Sequence, residues 1–352
     1  MRRILLIVNL FLFLVTAPLV GLYLAARTLP VVLGTQSLSL NPTVQATDNL
    51  KKDITGLKSS IHQLEGLAVQ NEQAFKGQEQ QLSLLESDSS TKRKFSDDLY
   101  EQRILKMLGP AIGTHLSDRV EIKIFKLDEL GYRGFIAKVK LFDPTAMKVV
   151  LGKGKLGQFE ITSAAAKRTH AVLAINAGGF YKETKGGTTY ARLIGNTIIN
   201  GKLVEPFNGY PGNLFFAGID RTGKVVGNVP QTQQQLMSLK PYMGVSFIPI
   251  LLQNGQKMTI PEKWITTKQP RTMIGQYANG DLIFIVIDGR RNDWSVGITL
   301  ERLQDKLLQL GVRDAYNLDG GGSTAMYFKG QILNKPSDGK ERPVVNNIVI
   351  LP

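Results

Sequence analysis

The chain has 352 residues with 43 Lys+Arg against 29 Asp+Glu, a formal net charge of +14, and is 43% hydrophobic and 20% charged, a globular rather than a disordered composition. The absence of cysteine excludes disulfides, thiolate nucleophiles and Cys-ligated zinc or iron–sulfur centres. The three histidines, His62, His115 and His170, are too scattered for a three-His metal cage in one domain, so the chemistry must lean on carboxylates, hydroxyls, amides and arginine.

Residues 4–24 carry no charge and follow Arg2 and Arg3. A helix of that length crosses a hydrocarbon core of roughly 30 Å, and the two arginines should stay cytoplasmic. A cleaved signal peptide is the rival reading. The stretch is long for one, and Val15-Thr16-Ala17 is followed by Pro18, so an uncleaved anchor over 1–27 is the favoured expectation. The resulting localisation is a single-pass cell-membrane protein with its N-terminus cytoplasmic and the rest extracytoplasmic. Residues 28–46 read as a linker.

Residues 47–95 read as a helical or coiled-coil stalk. Ile54, Ile61, Ala68, Phe75 and Leu82 fall at one heptad position, and Leu57, Leu64, Asn71, Gln78 and Leu85 at the other. Gly56, Gly66 and Gly77 weaken such a helix. A homo-oligomer through the stalk and a monomeric amphipathic helix both remain open. A connecting helix and loop over 96–119 leads into a domain at 120–352. The positive excess lies mostly after residue 95, which suits anionic partners such as phosphorylated glycans. No aromatic-interleaved basic motif, zinc module or helix-turn-helix pattern supports nucleic acid as a partner.

Within 120–352 the pattern is short strands at 120–127, 135–141, 148–151, 171–175, 214–219, 224–227, 245–252, 272–276, 282–287, 315–318, 324–328 and 344–350, separated by turn signals. One clear helix runs over 300–310, with Leu300, Leu303, Leu307 and Leu310 on one face, Thr299 to cap it and Gly311 to end it. The fold class expected is α+β, a mixed, largely antiparallel sheet core with a few packed helices.

The most informative segment is Asn317-Leu318-Asp319-Gly320-Gly321-Gly322-Ser323-Thr324. A strand delivers an amide and a carboxylate to a triple glycine, whose bare backbone lets a ligand approach closely. A tight turn with an Asx cap is the bland alternative. Asp288-Gly289-Arg290 ends another apolar strand, and Gln269-Pro270-Arg271-Thr272 places a guanidinium at a strand entrance. Arginine forks suit phosphate, although a lone arginine is more often a solvated surface charge. Asn176-Ala177-Gly178-Gly179-Phe180-Tyr181 ends a buried strand with an amide and aromatics, a layout suited to a sugar or to an ordinary strand exit.

Those blocks, in that order and with Ser295-Val296-Gly297, Arg342-Pro343-Val344 and Asn346-Asn347, resemble the phosphodiester glycosidase family over roughly 120–352. The chain departs from the pattern at Ala177-Gly178-Gly179-Phe180-Tyr181, where Asn176 is usually followed by a Gly/Ala-Gly-Phe-Phe run. The resemblance implies hydrolysis of a sugar-1-phosphodiester of an envelope or extracellular polysaccharide. It makes Asp319 and Asp288 the catalytic carboxylates and Arg271, Arg290 and Arg342 the phosphate clamp. Gly320, Gly321, Gly322, Ser323, Thr324 and Asn317 then orient the substrate, and Asn176 holds a sugar hydroxyl. No cofactor is expected. Two alternatives are a non-catalytic glycan-binding or assembly protein, and a metal-assisted phosphodiesterase with a divalent cation between Asp288, Asp319 and Asn317.

Overall fold

The computed structural model describes residues 16–24, 41–209 and 214–352. Of the apolar segment 4–24, only residues 16–24 are described, and they are helical. Among the described residues no helix is long and apolar enough to cross a membrane. The linker expected at 28–46 lies outside the described residues up to 40, and the chain is helical from Asn41. The chain divides into two units, Met1–Asp88 and Ser89–Pro352.

One helix of 68 residues, Asn41–Leu108, runs through both the stalk and the start of the connector. In the first unit Ile54, Leu57, Ile61, Leu64 and Phe75 are exposed on it. In the second unit its end is docked: Ile104 and Leu108 are buried with Phe125, Ile136, Ile283 and Leu307. The Tyr100 hydroxyl donates to the Gly311 carbonyl at 3.4 Å. The connector's expected loop is instead an edge strand, Ala111–Leu116, paired antiparallel with Val120–Glu129.

The second unit is α+β, and every strand pair described in it is antiparallel. An eight-stranded sheet runs in the spatial order Ala111–Leu116, Val120–Glu129, Tyr132–Leu141, Leu282–Ile287, Arg271–Tyr277, Val312–Leu318, Ile250–Gln253, Gln256–Lys257. Two five-stranded sheets cover one of its faces. One is centred on Phe215–Asp220 and Pro241–Phe247, the other on Leu173–Asn176 and Asn346–Ile350. The period of two explains why Leu282–Ile287 is apolar at every position. Leu282, Phe284 and Val286 join the core shared with those two sheets, while Ile283, Ile285 and Ile287 face the helices Asn41–Leu108 and Leu300–Gln309.

The helix Leu300–Gln309 forms as its pattern predicts. Leu300, Leu303 and Leu307 are buried, and Thr299 accepts the Arg302 N–H at 3.3 Å. The expected strand over 245–252 is two strands in different sheets, Pro241–Phe247 and Ile250–Gln253. A continuous apolar run cannot reveal where a chain changes sheet. The hairpin Phe180–Lys185/Thr188–Leu193 also escapes the sequence reading, because its tip is polar and exposed.

Beneath the docked helix end lies a buried charge network. The Lys138 ammonium contacts Glu101 at 2.6 Å and also bonds Asp281. Lys138 and Asp281 are both buried, and desolvation pushes the Asp281 carboxyl above its ordinary value. Removing the cation leaves the buried Asp281 carboxylate without a counter-charge, so Lys138→Met should cost about 3–5 kcal/mol of stability at neutral pH. That loss should shrink in acid, where Asp281 takes up a proton; an unchanged Tm at pH 7 would exclude this network as the clamp.

Candidate active site

Register brings the site together. Arg271 opens a central strand and pairs with Ile287, the last residue of the strand that leads into Asp288-Gly289-Arg290. On the other side Thr272 pairs with Leu318, just before Asp319. Because the three strands are antiparallel neighbours, the start of one and the ends of two fall at the same end of the sheet. Asp319, Arg271 and Arg290 therefore share a single cavity of about 490 Å³, as the sequence motifs require.

Arg271 is buried at the cavity wall. Its Nη2 donates to the Thr267 carbonyl at 3.0 Å, and its guanidinium lies 5.6 Å from the Trp264 ring centroid. Burial, with Arg290 opposing it, lowers its pKa to about 10, so it remains cationic at neutral pH. Arg290 sits at φ +62°, an uncommon conformation for a side-chain-bearing residue, and its Nε donates to Gln269 Oε1 at 2.7 Å. Among the described residues neither arginine makes a salt bridge to a carboxylate. Two guanidinium groups that line one cavity without a carboxylate salt bridge define an anion seat.

Arg342 lines the same cavity, with Asp338 bonded to it at 2.7 Å. Gly322 underlies that pair: a Cβ there would stand 2.0 Å from Arg342 Nη2 and 2.3 Å from Asp338 Oδ2. Arginine and aspartate tips can swing away, so Gly322→Ala should leave Tm nearly unchanged. It should nevertheless lower kcat/KM by about tenfold to a hundredfold by displacing Arg342, as misplacements of about 1 Å do. Wild-type kcat/KM in this variant would remove Arg342 from the chemistry.

Asp319 lines the cavity, half-buried, with protein packed around its carboxyl. That desolvation raises its pKa to about 6, against the lowering effects of the Ser323 hydroxyl, the Arg342 charge and the Gly320 amide. Two of the loop amides are committed internally: Gly321 N–H donates to the Pro270 carbonyl at 2.9 Å, and Ser323 N–H to the Gly320 carbonyl at 3.2 Å. Gly320 and Gly321 line the cavity, and the Gly320 amide and the Ser323 hydroxyl steady the Asp319 carboxyl. Thr324 is buried and does not line the cavity.

Three expected site residues, the substrate contacts Asn176 and Asn317 and the catalytic candidate Asp288, are bonded to the protein itself. Asn176 is fully buried; its Nδ2 donates to the Asp319 carbonyl at 2.5 Å, and its Oδ1 accepts from Thr272 Oγ1 at 2.8 Å and Ala325 N at 3.1 Å. It ties three segments under Asp319 and has no freedom to hold a sugar hydroxyl. Asn317 Nδ2 donates to the Ile248 carbonyl at 2.7 Å, which fixes the segment carrying Phe247. Asp288 lies outside the cavity, its oxygens taken by Trp294 Nε1 at 2.9 Å, Asn334 Nδ2 at 3.0 Å and the Lys335 N–H at 3.0 Å. An acid at a strand end next to a glycine looks the same in sequence whether it faces a ligand or a neighbouring loop.

Asp288, Asp319 and Asn317 therefore do not surround a cation. Among the described residues no three His, Cys, Asp or Glu side chains form a metal-holding group. The cavity walls that sequence reading missed are Phe247, Trp264 and Thr267. Trp264 is one of only two tryptophans in the chain, a signal that was available.

An antiparallel α+β unit carrying an arginine-walled anion seat beside a high-pKa carboxyl is the class that fold and site define. The chain belongs to the phosphodiester glycosidase family, whose model matches residues 169–351. It is similar to the SPbeta prophage-derived uncharacterized protein YomE of Bacillus subtilis, at 33% identity over 199 residues covering 54% of this chain and 29% of that protein. It is also similar to N-acetylglucosamine-1-phosphodiester alpha-N-acetylglucosaminidase of Mus musculus, 28% identical over 177 residues, 46% of this chain and 32% of the relative. The chain spans about a third of the length of these curated relatives. Among solved structures, the zebrafish enzyme's catalytic domain, auto-inhibited by its pro-peptide, superposes with a TM-score of 0.55 at 24% identity. That match covers 69% of this chain and 87% of the other, and shows the shared fold.

Proposed function

We propose that this chain is a membrane-anchored, extracytoplasmic hydrolase that cleaves a sugar-1-phosphodiester of an envelope or extracellular polysaccharide between the anomeric carbon and the phosphate oxygen. The observation that carries the reading is the shared cavity of Asp319, Arg271 and Arg290. Arg271 and Arg290 bind the phosphodiester oxygens, with Arg342 beside them. As the C1–O bond breaks, its electron pair goes to a phosphate monoester, which the guanidinium groups stabilise without full protonation. The sugar side passes through an oxocarbenium-like state, which the ionised Asp319 supports as nucleophile or by activating water. Water supplies the new C1–OH. Trp264 and Phe247 offer apolar walls to the sugar.

Family membership supports this chemistry, and the named activity of the mouse relative is hydrolysis of an N-acetylglucosamine-1-phosphodiester. Incubating the protein with a panel of sugar-1-phosphodiesters should release free reducing sugar and a phosphate monoester. Release of sugar phosphate would mean cleavage of the other bond, and no release from any diester would favour a glycan-binding role. Arg2, Arg3 and the apolar run 4–24 support the anchor, and the exposed heptad residues Ile54, Leu57, Ile61 and Leu64 support oligomerisation through the helix.

A further inference from the structure

A second cavity, of about 400 Å³, lies on the hairpin Phe180–Lys185/Thr188–Leu193. Tyr181 and Glu183 are two residues apart, and Arg192 pairs with Tyr181 across the strands, so all three share one face of the hairpin. The opposite face carries Phe180, Ala191 and Leu193 into a small apolar cluster, which fixes the orientation of the hairpin. The facing wall is Glu205, Phe207 and Asn208. That wall is tied down by Asn196, whose Nδ2 donates to the Asn208 carbonyl at 3.0 Å while its Oδ1 accepts the Asn208 N–H at 3.0 Å.

The chemistry here is the reverse of that in the first cavity. Two carboxylates face one guanidinium, and Arg192 is already bonded to Glu183. Glu205 is half-buried and accepts no hydrogen bond from the described residues; it acts on Arg192 only through its charge. This cavity would repel phosphate. It offers a free carboxylate acceptor, a fixed guanidinium donor and two aromatic rings, a set that matches the hydroxyl edge and apolar face of an uncharged sugar.

The two cavities adjoin the segment that enters the hairpin. Gly179 lies against Phe247, which walls the first cavity; a Cβ at Gly179 would stand 2.5 Å from that ring. Tyr181, two residues on, walls the second, about 7 Å further at the rise of a strand. We propose that the second cavity is a glycan subsite that holds a neutral sugar unit adjoining the phosphodiester, so that the substrate is an oligosaccharide or polysaccharide rather than a single glycosyl phosphate. This rests on the function proposed above.

The test is calorimetric titration of the full chain with three neutral trisaccharides, chitotriose, maltotriose and cellotriose, with and without saturating inorganic phosphate. At least one should bind, phosphate should not displace it, and Tyr181→Ala and Glu205→Gln should each weaken it tenfold or more with unchanged thermal melts. Binding of none of the three, displacement by phosphate, or equal affinity in both variants would overturn the subsite. Failure of the proposed function reads differently: trisaccharide binding persists while no sugar-1-phosphodiester releases reducing sugar.

Discussion

Asp319→Asn should lower kcat by on the order of 10³-fold or more while leaving binding of inorganic phosphate within a few-fold, because the substitution removes a reacting carboxylate and keeps its shape. The reason lies in the environment of the side chain. Its pKa of about 6 places its charge change inside the working range. In the proposed mechanism the ionised form is the active one, so kcat/KM should rise with pH through about 6 and then level off. A profile that instead falls above pH 6 would make Asp319 an acid and reverse its role.

Stability should show the same group with the opposite sign. The folded-state pKa is raised from 3.8 to about 6, so the folded state prefers the proton. The favourable contribution is present below about 4 and lost as pH rises through 6. The Tm of Asp319→Asn should accordingly match wild type in acid and exceed it above pH 6. A side chain that costs the fold stability at neutral pH and is essential for turnover is held there for chemistry.

Arg271→Ala should be the second severe loss, a fall in kcat/KM of about 30-fold to 4,000-fold, from the roughly 2–5 kcal/mol typical of a buried charge contact at about 1.4 kcal/mol per tenfold. Arg271→Lys should recover part of it, because a point charge replaces the fork that engages two phosphate oxygens. The guanidinium is desolvated, opposed by Arg290 and balanced by no carboxylate salt bridge among the described residues. Removing it should therefore not lower Tm, despite its burial. A large drop in Tm together with unchanged KM would mean that Arg271 is a structural residue and that the anion seat lies elsewhere.

Asp319, Arg271 and Arg290 could be singled out because each sits at an end of an apolar strand, and the structure places all three on one cavity. Asp288 and Asn176 carry the same local signature, yet one clamps Lys335 and Trp294 while the other ties Thr272 and Ala325 beneath the loop. Both are held by hydrogen bonds within the protein, and a one-dimensional pattern holds no record of which partner a side chain finds. The triple glycine was rightly singled out for close approach, but what approaches Gly322 is the Arg342–Asp338 pair.

The amino-acid order alone determined the α+β class, the Thr299-capped helix and the central strands, since periods of 3.6 and 2 are local consequences of backbone geometry. It also determined the chemical vocabulary of the site, because a chain without cysteine must work with carboxylates and guanidinium groups. Tertiary structure decided which of those groups meet. Antiparallel register places Arg271, Arg290 and Asp319 at one end of the sheet and turns Asp288 away from the cavity. Burial decided their electrostatics, raising one carboxyl to about 6 and leaving Arg271 without a carboxylate salt bridge among the described residues. Register and desolvation depend on residues far apart in the chain, so they exist only once it has folded.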